Sequence, residues 1–117
     1  AGQEEEPVDK LSLVATAREL TRKAETSSNG RAAETVFGGH EHVLRQTVIA
    51  LIKGESLAEH ENPGEATVHV LAGRVRLVSG STDWEGRTGD LIAVPAGRHS
   101  LEAMETSAVL LTVAKLS

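Results

Sequence analysis

Ten of the eleven glycines in this 117-residue chain lie at Gly30 or beyond, and there is no cysteine. Glycine punctuates turns and strand ends and is costly inside helices. The first thirty residues and the remainder must therefore be built differently. Without cysteine there are no disulfides, no thiolate zinc site and no cysteine nucleophile, which fits a reducing compartment. The fold has to rest on buried aliphatic side chains, and a single domain of this length can bury roughly two-thirds of its unfolded surface.

Between Asp9 and Glu25 the apolar positions Leu13, Val14, Ala17, Leu20 and Ala24 recur at steps of three and four. That is the period of an amphipathic helix. Glu19 precedes Arg22 and Lys23 by three and four positions, a spacing that adds surface pairing. The run Thr26-Ser27-Ser28-Asn29-Gly30 ends the helix. Residues 1–30 are thus expected to be a tail and one helix, and residues 31–117 a β domain.

After Gly30 the pattern changes to strands and turns. Gln46–Ile52, Thr67–Leu71, Arg74–Val78, Leu91–Val94 and Ala108–Ala114 read as strands. Ser79-Gly80-Ser81 reads as a turn, and Glu85–Gly89, with two glycines, as another. Short strands at this spacing form an all-β sandwich or barrel. Val48, Ala50 and Ile52 lie on one face of their strand, and Ile49 and Leu51 on the other. A lone two-layer sandwich shows one face to water, so this outer face needs cover. The expected covers are the N-terminal helix and a second subunit, giving a homodimer.

Composition removes several functions. The chain has one Phe, one Trp and no Tyr, and its twelve basic against seventeen acidic residues give a formal charge of -5. That is the wrong sign and the wrong aromatic content for a protein that coats nucleic acid. No apolar run approaches the ~18 residues of a membrane span. The acidic start AGQEEEP has neither the basic nor the apolar region of a signal peptide. The expected setting is cytoplasmic, with no nucleic-acid or membrane partner.

Chemistry near neutral pH rests on five histidines. His60 and Asn62 stand two apart after Gly54, so an extended segment places both on one face. Gly89 to His99 reads as a strand, a Pro95/Gly97 corner and another histidine.

These residues resemble the cupins, small double-stranded β-helix (jelly-roll) barrels. Their first motif runs Gly, five residues, His-x-His, three or four residues, Glu, six residues, Gly. Gly54, His60 and Gly73 fall on it. Their second motif runs Gly, five residues, Pro-x-Gly, two residues, His, three residues, Asn, and Gly89, Pro95 and Gly97 fall on that. The resemblance spans roughly Gly38 to Leu116. It implies an all-β jelly-roll barrel with one N-terminal α-helix, and in metal-containing members three histidines and the glutamate hold a divalent metal inside.

Residue by residue the implied site is only partly present. His60 fills the first histidine slot and Asn62 the second. The glutamate slot is Ala66, or Thr67 at the alternative spacing. His99 falls one residue early, so its direction depends on the corner after Gly97, and the closing Asn is missing. Glu65 is one step out of register and would need a bulge near Gly64 to turn inward. His42 or Gln46 can complete a site if the strand at Gln46 lines the barrel. His40 is expected in a loop, and His69, on the opposite parity, on the outside. Arg74 and Arg76 are expected solvated or paired across strands, and Trp84 as a packing anchor.

The expected function is a small cupin that binds a small polar ligand through His60, Asn62, His99 and Gln46. A divalent metal (Fe, Mn, Ni, Cu or Zn) is expected to be weakly held or absent, with His60, His99, Asn62 and His42 as its candidate ligands. The alternative is a metal-dependent dioxygenase or isomerase with a rearranged site.

Overall fold

A computed structural model of the chain describes residues 10–61 and 64–115. Helix α1 (Leu13–Thr26) starts where Ser12 caps it, the Ser12 hydroxyl accepting from the Ala15 N–H at 3.1 Å. This satisfies one of the donors that a helix start leaves unpaired, and it sets the boundary later than periodicity alone suggests. Lys23 pairs with Glu19 at 3.8 Å on the exposed side. The opposite stripe, Ala17, Leu20 and Ala24, is buried.

Among the described residues nine strands follow: β1 (Arg31–Phe37), β2 (Leu44–Leu51), β3 (Ser56–Glu61), β4 (Gly64–Ala72), β5 (Arg74–Ser79), β6 (Thr82–Arg87), β7 (Leu91–Ala93), β8 (Arg98–Ala103) and β9 (Ser107–Lys115). They form a five-stranded sheet ordered β1-β2-β9-β4-β7 and a four-stranded sheet ordered β3-β8-β5-β6. All recorded pairings are antiparallel. The chain passes repeatedly from one sheet to the other, the arrangement of a jelly roll.

Strand alternation sorts the aliphatic residues into two cores. Ile49, Leu51, Val68, Val70, Val75, Leu77 and Val109 fill the space between the sheets. Val48, Ala50 and Leu110 point the other way and pack with Leu20 and Ala24 of the helix. The helix thus supplies the cover that two-sided apolar strands require.

The second sheet presents a charged outer face. Arg76 meets Glu102 at 2.8 Å and Asp83 at 3.3 Å, and Arg74 meets Glu85 at 3.1 Å and Glu105 at 3.4 Å. The hydrogen bond from Arg76 to Glu102 raises the guanidinium pKa above its ordinary value. Three of these pairs cross between strands and the fourth reaches Glu105 in the β8–β9 turn; on a wet surface such contacts keep the face soluble more than they stabilise it.

The turn expected at Glu85–Gly89 is narrowed to Thr88 and Gly89. Glu85, Gly86 and Arg87 belong to β6, paired with Arg76, Val75 and Arg74. Gly86 marks close packing: a Cβ there would stand 2.8 Å from Ile92 Cδ1 and 3.2 Å from Val70 Cγ2. A glycine inside a strand is expected where another group approaches the backbone this closely.

Gly73 and Gly54, two of the motif glycines, both have positive φ, at +96° and +91°. At Gly73 an added Cβ would also press on Ser107 Oγ and stand 2.5 Å from Thr106 O, whereas at Gly54 nothing lies within 4 Å. Gly54→Ala should cost about 1 kcal/mol of backbone strain. Gly73→Ala should cost about 2–4 kcal/mol, because overpacking adds to that strain. Urea denaturation of the two variants side by side checks the order.

Candidate functional site

The β8 strand carries the central residue. Along Arg98–Ala103 exposed or half-buried residues alternate with His99, Leu101 and Ala103, which are buried. The corner after Gly97, though one residue short, delivers the His99 ring to the interior, where it is 3% exposed. Its Nδ1 lies 3.2 Å from the Gly97 carbonyl oxygen. A carbonyl only accepts, so Nδ1 carries the proton, and in the neutral ring Nε2 is the acceptor or metal-ligating nitrogen.

The β3–β8 ladder brings the second histidine alongside. Leu57 pairs with Leu101; after an irregularity, His60 pairs with His99 and Glu61 with Arg98. Two positions nearly forty residues apart in sequence become direct cross-strand neighbours, whose Cα atoms in such a ladder lie about 4.5–5.5 Å apart. Asn62 falls outside the described residues.

The wall around His99 is aliphatic. Ile49, Leu57, Val68, Leu77, Leu101 and Leu111 are among its neighbours, and the enclosed space is about 20 Å³. That is room for about one water molecule. Among the described residues, His99 is thus a polar ring set against an aliphatic wall.

The glutamate slot is structurally explicit. Ala66 is buried on the inward parity of β4, opposite Val113. Pairing runs without interruption from Gly64↔Lys115 through Val70↔Val109, so no bulge turns Glu65 inward. Glu65 is exposed on the outer side. Among the described residues no group of three or more His, Cys, Asp or Glu side chains is placed to hold a metal ion.

The remaining candidates lie elsewhere. Gln46 shares the parity of Val48 and Ala50, and its amide donates to Thr112 Oγ1 at 3.1 Å on the outer face. The strand at Gln46 therefore does not turn that side chain toward His99. His42 is exposed in the β1–β2 loop, its ring 5.1 Å from that of Phe37, and His40 is an exposed turn residue. His69 is half-buried on the outer face, between Leu110 and Leu91 in the ladders. Trp84 lies opposite Leu77 on edge strand β6 and is 42% exposed. The leucines that surround His99 were missed as site residues. The alternation in Arg98–Ala103 is the signal that would have exposed Leu101.

Leu77 is 1% exposed and touches this interior. Leu77→Ala should lower stability by about 2–5 kcal/mol, measured by chemical denaturation, while far-UV circular dichroism keeps its β signature.

Comparison with known proteins places this geometry. The Cupin domain family model matches residues 47–114, more than half of the chain. A conserved protein of unknown function from Streptococcus pyogenes is similar at 29% identity and a TM-score of 0.69, over 78% of this chain and 79% of its own. A cupin superfamily protein from Desulfitobacterium hafniense is similar at 17% identity and a TM-score of 0.75, over 99% of this chain and 100% of its own. An RmlC-like cupin protein from Desulfovibrio desulfuricans is similar at 23% identity and a TM-score of 0.63, over 72% of this chain and 81% of its own. No curated protein matches the chain.

Proposed function

The chain belongs to the cupin family, and from that premise we propose that it binds a small polar molecule without turnover, at the barrel end where β3 and β8 meet. The observation that carries this reading is the pair Ala66 and His99. One is a buried methyl where the family motif places a carboxylate, and the other is a buried imidazole in an aliphatic wall.

A dication needs ligands that offset its charge as well as donate to it. Imidazoles and a neutral amide donate but leave the charge uncompensated. Among the described residues, with Ala66 inward and Glu65 outward, no carboxylate at the motif's glutamate slot offsets such a charge. A neutral polar ligand has no such requirement. His99 contributes a buried polar ring at this end, and the aliphatic surroundings make polar contacts there more discriminating than they would be in water.

A second reading keeps one observation in its favour. The register places His60 directly opposite His99, as two histidine ligands of a metal-dependent dioxygenase or isomerase would need. Metal content separates the two. Tag-free protein purified without chelator should hold far less than one equivalent of Mn, Fe, Co, Ni, Cu or Zn by elemental analysis, and His60→Ala should change nothing. A near-stoichiometric metal that disappears in His60→Ala would replace the first reading with the second.

The missing carboxylate can also be restored. Ala66→Glu should raise affinity for Ni²⁺ or Zn²⁺ by about tenfold or more over wild type, read by titration calorimetry. Equal affinity in both proteins would mean that the slot at position 66 does not govern metal binding.

A further inference from the structure

A cross-strand row on the inner face of the second sheet runs from the candidate site to an exposed indole. Leu57 of β3 pairs with Leu101 of β8, Leu101 with Leu77 of β5, and Leu77 with Trp84 of β6. Directly opposed residues share a face, so Trp84 lies on the face that Leu77 turns toward the first sheet. Asp83 and Glu85, on the opposite parity, meet Arg76 and Arg74 on the outer face. Leu77 and Leu101 are buried beside His99, whereas Trp84 is 42% exposed. The chain's one tryptophan thus stands on an inward face and still meets water.

The facing sheet accounts for that exposure. Its edge strand β7 is three residues long, Leu91–Ala93, and Ile92 packs against β6 at Gly86, two positions past Trp84. Val94 still joins the core, and the chain then turns through Pro95 and Gly97 into β8. Burial of so large an apolar ring is strongly favourable, so whatever covers the open part of the indole gains that energy.

Toward the barrel end the same inner face becomes polar. The ladder sets His60 opposite His99, and on the neighbouring strands Ser79 opposite Thr82. The Ser79 hydroxyl donates to the Arg98 carbonyl at 3.1 Å. Thr82 precedes Trp84 by two positions on β6, about 7 Å along the strand, and β6 stands two strands from β8, about 10 Å. The charges carried by β5 and β6 lie on the other face, paired with one another.

We propose that the ligand is a neutral sugar ring of the pyranose type, with its C–H face on the Trp84 indole and its hydroxyls toward Ser79 and Thr82. The assignment rests on the ligand reading above and names its chemical class. The face of an aromatic ring is electron-rich, and the C–H bonds of a sugar present weakly positive hydrogens to it. A sugar hydroxyl both donates and accepts, as the Ser79 and Thr82 hydroxyls do. A charged ligand would find no opposite charge on this row. Trp84 is then the specificity-determining residue, which corrects the packing anchor expected from the sequence.

There is one Trp and no Tyr in the chain, so tryptophan fluorescence reports position 84 alone. Titration with the methyl glycosides of glucose, galactose and mannose should change that emission saturably for at least one of them. Ligand-observed NMR then compares affinities in variants confirmed as folded by circular dichroism. Trp84→Ala should weaken binding by about tenfold or more, and Trp84→Phe should retain most of it. Unchanged emission with all three glycosides overturns the proposal, as does a response to adenosine alone, which would assign a planar heteroaromatic ligand. Glycoside binding that survives Trp84→Ala but is lost in His60→Ala removes the indole from the site and leaves the ligand reading standing. Binding lost in Trp84→Ala but unchanged in His60→Ala overturns the ligand reading at the β3–β8 end, and with it this assignment.

Discussion

Strand parity on β2, β4 and β9 is the constraint on which the rest of the molecule depends. Side chains alternate strictly between the faces of a strand, so each apolar residue on these strands commits to the inter-sheet core or to the outer layer. Ile49, Val68 and Val109 make the first; Val48, Ala50 and Leu110 make the second. A shift of one residue would exchange the two sets. It would also bring Glu65 into the barrel and put Ala66 outside. The identity of the site and the attachment of the helix are therefore fixed by a single register.

That dependence explains which parts were legible in the sequence. The helix, β2, β5 and β9 announce themselves through aliphatic periodicity, because each buries a complete face. The motif glycines and Pro95 were legible for another reason: they mark corners that few residues can occupy. By contrast β1 (Arg31–Phe37) and β3 (Ser56–Glu61) are edge strands rich in charged and polar residues. Edge strands gain half their pairing from one neighbour and bury little, so their sequences carry little pattern. Gly86 misled in the opposite direction, since a glycine that lets Ile92 and Val70 approach looks the same in sequence as a glycine that turns the chain.

The pairing of the two candidate histidines was legible in the sequence, and their surroundings were not. His60 and His99 fall on motif positions, and the ladder makes them neighbours. Nothing local in the sequence says that Leu57, Leu77 and Leu111, from three strands, close on the His99 ring. Nor does the spacing of Gln46 show which face it takes. That follows only once Val48 and Ala50 are known to lie beneath the helix. Reach along the chain is local, whereas a barrel interior is assembled from residues that share no local segment.

Carboxylate loss and aliphatic filling are two sides of one physical change. A charged group in a nearly closed interior is tolerated only with a partner of opposite charge or ample hydrogen bonds. With alanine at position 66 the inward face of β4 reads Ala66, Val68, Val70 and carries no charge. An interior of that kind is most stable when the remaining space is small, and about 20 Å³ beside His99 meets that condition. One imidazole, anchored through Nδ1 to the Gly97 carbonyl, is a polar group that such an interior can keep. The same ladder passes from the Leu57–Leu101 pair to the paired positions His60 and His99, so the polar register sits at one end of the barrel and the aliphatic filling between the sheets.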